Sequence, residues 1–492
     1  MSAPHSDDSD TLVRRVPTAA DDHPRDRRGT PTRTDLRPLL LAASISCTLV
    51  WIVWGARWTG AANVAVLCAA LGLHAALWFT PRRAAPWSMR HALVLVGILL
   101  AVVAVVPLHH SRDLYLYDIY GQAVVEHRVS PYTTAPDQLG DPNLDMVADK
   151  WHEQTSMYGP AFVAVAAVVS RVGGESELLI RLSWQAVMAV AAMGAVVLVA
   201  RRTRDPMAVV ALGCSPVLLA TVNDAHNDVL IGLGILAVVL LVDDRRYALA
   251  GAIASLVIAT KVPAAVPIGA IGVWVAWRRG WRPAAWFGVP LLVAVCTAYL
   301  AVGGTEALTP LRENAGDDSR FAIWQPLRDR RFEQMIEDGF RWRVTLDTVR
   351  DQMATYALVL LVVALLVVLW RYRRAGHPGE VAGIAGCVLM VTSTYVMPWY
   401  PAMVLPVVAL SWGSRTSRLV QVQAAFLLVA YAAGPGNDPT TGIGRWLEQR
   451  AVWIDVALLV AAVAWAAPSV LAGRRRARVD SVTSACLPTS AG

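Results

Sequence analysis

Two acids and three tyrosines crowd into a short polar stretch directly after an apolar run. The stretch reads SRDLYLYDIYGQ, residues 111–122, and the apolar run before it ends at Val106 and Pro107. An acid placed here needs only to come within hydrogen-bond reach of a hydroxyl to act as a general base. A carboxylate beside aromatic rings also suits sugar recognition, because rings pack on the apolar face of a sugar. Asp113 and Asp118 are therefore the candidate catalytic residues.

The tyrosines of this stretch have a simpler explanation as well. Tyr115, Tyr117 and Tyr120 lie at the edge of an apolar run, and aromatic residues are common at a membrane surface. On a helix, Asp113 and Tyr117 would share one face, and such an amphipathic helix is expected to lie along the membrane interface. Both explanations stay open, with Tyr115 and Tyr117 as candidate substrate-binding residues.

Two further polar segments interrupt apolar runs. NDAHND, residues 223–228, leaves almost no loop between two apolar runs, and Lys261 breaks the stretch AIASLVIATKVPAAVPIGA. Ionisable groups this close to hydrocarbon are costly and usually mark a site or line a hydrated cavity. Helix capping in a polar hairpin and a snorkelling lysine are the simpler alternatives. In the functional interpretation, His226, Asn227 and Asp228 bind substrate, and Lys261 binds a lipid phosphate.

The sequence shows no nucleotide motif and no strong metal motif. It has no GxxxxGK[ST] loop, no GxSxG elbow, no HExxH, and no CxxC spacing among its six cysteines. Gly232 and Gly234 in IGLGIL lie in an apolar run and do not indicate a nucleotide site. His226 and Asp228 alone are weak evidence for a metal. No metal site and no certain cofactor is assigned, a divalent cation stays open, and the energy for synthesis must come with an activated lipid substrate.

The elements that position these residues must be membrane helices. Hydrophobic residues make up 55% of the 492 residues, charged residues 16%, and the mean hydropathy is +0.45. The arginines cluster in short segments between apolar runs, which is the positive-inside pattern, so the net charge of +7 indicates topology and no nucleic-acid partner. We predict an all-α polytopic cell-membrane protein, a bundle of about 13–15 transmembrane helices with large extracytoplasmic loops and the lipid bilayer as partner.

Alternation between the basic segments divides the chain into seven regions. They are a disordered cytosolic tail (1–36), N-terminal transmembrane helices (37–108), an extracytoplasmic catalytic loop (109–157), core transmembrane helices (158–302), a second extracytoplasmic loop (303–350), C-terminal transmembrane helices (351–472) and a basic cytosolic tail (473–492). The apolar segment at residues 158–173 is too short to span a membrane. It is predicted to be re-entrant or interfacial. The polar segments then share the extracytoplasmic face, where we expect the active site.

The order of these motifs resembles the GT-C superfamily of membrane glycosyltransferases that use polyprenyl-phosphate sugars. The resemblance is particularly to the actinobacterial polyprenyl-phosphate-mannose-dependent alpha-mannosyltransferases. It is carried by SRDLYLYDIYGQAVVEHRVSPYTTAP leading into MYGPAF, then by AHND, by the lysine in IATKVP, and by MPWYP. It covers roughly residues 100–265 well and MPWYP more loosely.

The resemblance implies a GT-C-like fold, a reaction and a set of site residues. The family's essential acid falls on Asp113, and Asp118 departs from the pattern as a second acid nearby. The other positions that carry the family's motifs or candidate substrate contacts are Tyr115, Tyr117, Pro131, Tyr132, Tyr158, Gly159, Pro160, His226, Asn227, Asp228, Lys261, Trp399 and Tyr400.

The implied reaction is an inverting displacement at the anomeric carbon of a lipid-linked sugar, with mannose as the expected sugar. Polyprenyl phosphate leaves, and an extracytoplasmic glycan or lipoglycan accepts the sugar. Asp113 would deprotonate the acceptor hydroxyl. Lys261 and His226 would offset the charge of the phosphate, because stabilising a leaving anion lowers the barrier.

Two alternatives stay open. A lipid-linked sugar flippase or transporter would show inverted repeats and polar groups near the membrane midplane, whereas the polar groups here gather at one face, which favours an enzyme. Within the enzymes, the same chemistry could use another lipid-linked sugar, such as arabinofuranose or glucose.

Overall fold

The computed structural model describes residues 35–57, 60–79, 85–313, 319, 321–373, 377–432 and 442–465. The predicted cytosolic tails, residues 1–36 and 473–492, lie outside these ranges except for residues 35 and 36.

Every regular element in the described part of the chain is a helix, which confirms the predicted all-α class. Apolar segments form helices because a helix satisfies its own backbone hydrogen bonds away from water. The first ten are α1 (Arg37–Trp54), α2 (Ala61–Phe79), α3 (Met89–Val103), α4 (Asp113–Val125), α5 (Pro160–Gly173), α6 (Glu177–Thr203), α7 (Pro206–Gly213), α8 (Pro216–Asn223), α9 (Asp228–Asp243) and α10 (Tyr247–Ile258). The others are α11 (Ala265–Arg279), α12 (Trp281–Ala301), α13 (Thr309–Glu313), α14 (Gln325–Glu337), α15 (Trp342–Tyr372), α16 (Pro378–Thr392), α17 (Leu405–Ala409), α18 (Arg415–Ala432) and α19 (Gly442–Trp465).

Helix length and composition single out the candidate membrane spans. Among the described residues, α1, α6, α12 and α15 are long and apolar enough to cross a membrane. The pair α7 and α8 makes a fifth candidate, bent by 48° at a break just before Pro216. Shorter apolar helices of 10–17 residues lie within α2, α3, α5, α10 and α16. The larger count of about 13–15 transmembrane helices stays a prediction, since a full crossing needs about 20 residues.

Helix α6 lies at the centre of the bundle. It packs against α3, α5, α7 and α9. Its buried residues recur every three or four positions, as expected for one continuous packing face; they include Trp184, Met188, Ala192, Val196 and Val199.

Close backbone packing explains Gly232, the first glycine of IGLGIL. A Cβ atom on Gly232 of α9 would lie 2.3 Å from the backbone oxygen of Ala402. The glycine therefore lets α9 approach the chain that follows MPWYP, a role in packing and not in nucleotide binding.

Two segments show structure that the sequence analysis did not specify. Helix α4 is buried from Leu114 to Ala123, because α5 and α6 pack against it, and its position along the membrane interface stays a prediction. Helix α15 begins at Trp342, inside the predicted second loop (303–350), because its polar first turns continue the helix without a break. Hydropathy alone detects only the apolar part of such a helix.

Candidate active site

The NDAHND segment fixes the chain that leads into α4. The Asp224 carboxylate accepts the backbone N–H groups of residues 109 and 110 at 2.8 and 3.0 Å. The Asn223 side-chain amide donates to backbone carbonyl oxygens within residues 103–107, at 3.0 to 3.2 Å. Both side chains are buried, so these bonds hold one conformation of the connection from α3. Asp113, the first residue of α4, is thereby held in place.

Asp113 faces a buried histidine. Its carboxylate Oδ2 lies 3.7 Å from Nδ1 of His226, whose side chain is 1% exposed, whereas that of Asp113 is 28% exposed. The His226 ring stacks on Trp399 with 3.5 Å between ring centroids and 15° between planes. The stack fixes the plane of the imidazole, and Nδ1 is the ring nitrogen that faces the acid.

Lys261 forms an ion pair with the last residue of NDAHND. Its Nζ atom donates to both carboxylate oxygens of Asp228 at 3.0 Å, and the Asp228 side chain is 0% exposed. The same Nζ lies 4.3 Å from the ring centroid of Tyr400, within the range of a cation–π contact. The aromatic pair of MPWYP therefore contacts both polar motifs, with Trp399 on His226 and Tyr400 on Lys261.

The YGP motif docks directly on the lysine segment. The Gly159 N–H donates to the backbone oxygen of Thr260 at 3.1 Å, and the Ala161 N–H to that of Ala259 at 2.9 Å. A Cβ atom on Gly159 would lie 2.1 Å from the Ala259 oxygen, so only glycine permits this approach. The docking places Tyr158 next to the turn that carries Lys261.

These motifs meet at a cavity of about 360 Å³. Its polar and aromatic lining consists of Asp113, Tyr117, Trp151, Tyr158, Lys261, Thr392, Ser393, Thr394, Tyr395, Trp399 and Tyr400. Its apolar lining includes Ala354, Ala357, Leu358 and Leu361 of α15 and Leu389 of α16. The cavity thus combines a carboxylate, an ammonium group and several rings with an apolar wall, and its volume is typical of ligand pockets.

Comparison with known proteins finds similar enzymes. Residues 40–277 match the family described as alpha-(1->6)-mannopyranosyltransferase, N-terminal domain. The chain is also 29% identical over 379 residues to alpha-(1->6)-mannopyranosyltransferase A of Mycobacterium tuberculosis (strain ATCC 25618 / H37Rv), covering 72% of this chain and 70% of the relative. Both similarities support a glycosyltransferase. The predicted resemblance to actinobacterial mannosyltransferases is confirmed, and the apolar helices agree with a membrane protein.

Burial shifts the pKa values of Asp113 and His226, which face each other in this glycosyltransferase. Desolvation raises the pKa of the Asp113 carboxyl, while the charges of Lys261 and Lys150 oppose that rise. Desolvation, with Lys261 nearby, lowers the pKa of His226 well below its ordinary value. His226 is therefore neutral and offers one N–H donor and one acceptor nitrogen.

The second acid of the glycosyltransferase lies away from the cavity. The Asp118 side chain is 1% exposed and accepts a hydrogen bond from Nε2 of Gln122 at 2.8 Å. Burial raises its pKa to about 6. The structure brings Asp113 to the cavity and places Asp118 in the packing between α4 and its neighbours.

The other predicted substrate contacts divide into lining and supporting positions. Tyr117, Tyr158, Lys261, Trp399 and Tyr400 line the cavity, whereas His226, Asn227 and Asp228 lie buried behind its wall. Two tyrosines point elsewhere. The Tyr115 hydroxyl donates to Glu177 at 3.2 Å, and Tyr132 packs in a separate cluster with Val163 and Tyr299.

Metal ligands do not cluster in the described part of the glycosyltransferase. No group of three or more His, Cys, Asp or Glu side chains there is arranged to hold a metal ion. Asp228, one of the two ligands suggested by the sequence, instead holds Lys261.

Sequence reasoning missed several lining residues. Trp151 and Tyr395 line the cavity, and their aromatic character next to a loop lysine and next to MPWYP was the available signal. The residues of the apolar α15 wall could not be recognised in the sequence, since apolar residues that line a cavity look the same there as apolar residues that do not. Asn223 and Asp224 were visible in NDAHND, but their role in holding the start of α4 depends on the fold.

Proposed function

We propose that this glycosyltransferase moves mannose from a polyprenyl-phosphate donor to a hydroxyl of an extracytoplasmic glycan or lipoglycan, with inversion at the anomeric carbon. The position of the Asp113 carboxylate at the wall of a cavity that combines polar and aromatic residues with apolar residues of α15 carries this proposal. The choice of mannose rests on similarity to a protein named as a mannopyranosyltransferase.

Asp113 is the general base of the proposed reaction. It takes the proton of the acceptor hydroxyl while the acceptor oxygen bonds to the anomeric carbon on the face opposite the phosphate. The bond between that carbon and the phosphate oxygen breaks, and its electron pair stays on the departing polyprenyl phosphate. Burial strengthens Asp113 as a base, because desolvation raises its pKa.

His226 orients this base. Its stack on Trp399 and its distance of 3.7 Å from Asp113 support a hydrogen bond from Nδ1–H that tightens when substrate closes the site. A neutral imidazole suits this role, because it holds the carboxylate without taking the proton for which the carboxylate is needed.

The cavity lining suits a lipid-linked sugar. The aromatic rings of Tyr117, Tyr158 and Trp399 offer faces on which a sugar ring could pack, and the α15 wall offers an apolar path for the first isoprene units. On its other side, α15 exposes large apolar residues such as Leu366 and Trp370. Exposure of this kind on a long apolar helix supports contact with lipid.

The distribution of arginine supports an extracytoplasmic site in a multi-pass protein. Helix α11 begins next to Lys261 at the cavity and ends with Arg278 and Arg279. Basic residues favour the cytoplasmic end of a membrane helix. The end that carries the cavity then faces the other side.

Transfer by the purified protein tests this proposal. The full chain, reconstituted in lipid nanodiscs, would be incubated with radiolabelled polyprenyl-phosphate mannose and a panel of glycan and lipoglycan acceptors. We expect labelled product, and anomeric NMR signals should show the configuration opposite to that of the donor. Parallel donors carrying arabinofuranose or glucose should give slower transfer. Absence of transfer from every lipid-linked donor, or retention of configuration, would refute the proposal.

A further inference from the structure

The ammonium group at the predicted phosphate site is already neutralised. Lys261 donates to both oxygens of the Asp228 carboxylate at 3.0 Å, and this carboxylate is wholly buried. The donor phosphate gains a second negative charge when the sugar leaves, so the reaction needs a cation that is not already paired. The Lys261–Asp228 pair can orient a phosphate, but its net charge is zero.

The chain has only two lysines, and the charges of both act on the Asp113 carboxyl. Of the 44 basic residues, only Lys150 and Lys261 are lysine, and all the others are arginine. The charges of both lysines lower the pKa of the Asp113 carboxyl. Lys150 belongs to the loop between α4 and α5, far from Lys261 in the sequence, so the fold brings the two lysines to one site.

Lys150 lies beside two aromatic residues of the cavity lining. Its Nζ atom is 4.2 Å from the ring centroid of Trp151 and 5.9 Å from that of Tyr395. Both rings line the cavity. Lys150 is exposed, and within the described residues no carboxylate forms an ion pair with it. An exposed ammonium group without an ion-pair partner among the described residues therefore lies beside two rings of the cavity lining.

We propose that Lys150 is the residue that contacts the donor phosphate and stabilises the leaving polyprenyl phosphate, while the Lys261–Asp228 pair only positions it. This assignment rests on the proposed function. When the bond from the anomeric carbon to the phosphate oxygen breaks, the electron pair stays on that oxygen and the protonated Lys150 offsets the added charge. A lysine suits the task, because its compact charge on a flexible stem can follow the phosphate as it departs.

Kinetics of Lys150 variants provide the first test, with Arg343→Ala as the matched control. Arg343 is exposed near the start of α15 and does not line the cavity. For Lys150→Ala we expect kcat/KM for polyprenyl-phosphate mannose to fall roughly 10- to 100-fold, less than for a buried oxyanion donor because Lys150 is solvent-exposed. The loss should fall mainly on kcat, since the contact strengthens as charge develops. Lys150→Arg should recover most of the activity, and Arg343→Ala should match the wild type.

Lysine acetylation of the wild-type protein provides a second test that needs no variant to fold. An amine-reactive acetylating reagent should modify exposed Lys150 readily and Lys261, 13% exposed and paired, slowly. Added polyprenyl phosphate should protect Lys150, as followed by peptide mass spectrometry.

The possible outcomes separate this assignment from the proposed function. If the wild type transfers mannose but Lys150→Ala shows wild-type donor kinetics, or polyprenyl phosphate fails to protect Lys150, the assignment is wrong and the proposed function stands. If the wild type uses no polyprenyl-phosphate donor, both fail together.

Discussion

At the level of single residues, helix geometry separates two acids that look alike in the sequence. Asp113 and Asp118 both lie on α4, and five residues along an α-helix correspond to a rotation of about 140°. Their carboxyl groups therefore leave nearly opposite sides of the helix. One reaches the cavity, and the other reaches Gln122 in the packed interior.

Replacing each acid by its amide tests this division. Asp113→Asn should reduce transfer by about 10²- to 10⁴-fold, the usual contribution of a general base. Asp118→Asn should keep transfer within about tenfold of the wild type, because its side-chain oxygen can still accept the bond from Gln122. Initial rates with labelled donor give the comparison, and thermal unfolding in nanodiscs shows whether both variants fold. Loss of transfer in well-folded Asp118→Asn with retention in Asp113→Asn would reverse the assignment.

The pH dependence of transfer should report the protonation of Asp113. The base works only when ionised, so kcat/KM rises with pH through the pKa of Asp113 and levels off above it. Because burial raises that pKa from 3.8, the midpoint of the acid limb should lie above this value. Lys150→Ala removes a positive charge that lowers the pKa of Asp113, so the acid limb of the kcat/KM profile should move to higher pH. A limb that keeps its position in Lys150→Ala would contradict this coupling.

The sequence could predict residue types at the site but not all their partners. Asp113, Lys261 and MPWYP were recognisable because ionisable and aromatic groups stand out against apolar runs. The stack of His226 on Trp399 and the pairing of Lys261 with Asp228 join residues that are far apart in the chain. Such contacts depend on helix packing, which a single sequence does not specify.

At the level of elements, the YGP turn docks on the lysine turn through a close backbone approach. Gly159 has an ordinary backbone conformation, with φ of −74°, so alanine would fit the backbone there. Its Cβ atom would nevertheless meet the Ala259 oxygen at 2.1 Å. The constraint is therefore steric and acts between two elements.

Gly159→Ala should widen this junction. We expect a loss of about 1–3 kcal/mol of stability from overpacking, seen as a lower unfolding temperature. Displacement of Tyr158 from the lysine turn should slow transfer at least about tenfold, since misplacements of about 1 Å are costly in catalysis. Gly269→Ala is the matched control, because no atom lies within 4 Å of its Cβ position in α11. Equal behaviour of the two variants would show that the close approach has no role.

Hydropathy predicts apolar helices well and their ends poorly. The apolar core of α15 was predicted, but its start at Trp342 was not, since the first turns are rich in charged residues. Helix α4 was predicted to be amphipathic, yet Tyr117 packs inward against Phe162 and Trp184. Tyrosine can occupy either environment, so only the neighbouring helices decide.

At the level of the whole molecule, the cavity combines two parts of the chain. The segment that matches the mannopyranosyltransferase family, residues 40–277, supplies Asp113, Tyr158 and Lys261. The apolar wall and the MPWYP aromatic residues come from residues 354–400, beyond that match. Under the proposed function, the first part carries the reacting groups and the second part receives the lipid.

A bulky substitution on the apolar wall should therefore affect donors with long and with short lipid chains differently. Ala354 lines the cavity on α15, and Ala354→Trp would fill the path proposed for the isoprene units. We expect KM for full-length polyprenyl-phosphate mannose to rise about tenfold or more, because the displaced apolar contacts each contribute about 0.8 kcal/mol per methylene. A donor with a single short isoprenoid, which makes few of these contacts, should be affected much less. Val362→Trp on the same helix, where Val362 is 47% exposed and does not line the cavity, serves as the control. If both donors lose affinity equally in Ala354→Trp, the α15 wall shapes the sugar site, and the lipid chain of the bound donor follows another path out of the cavity.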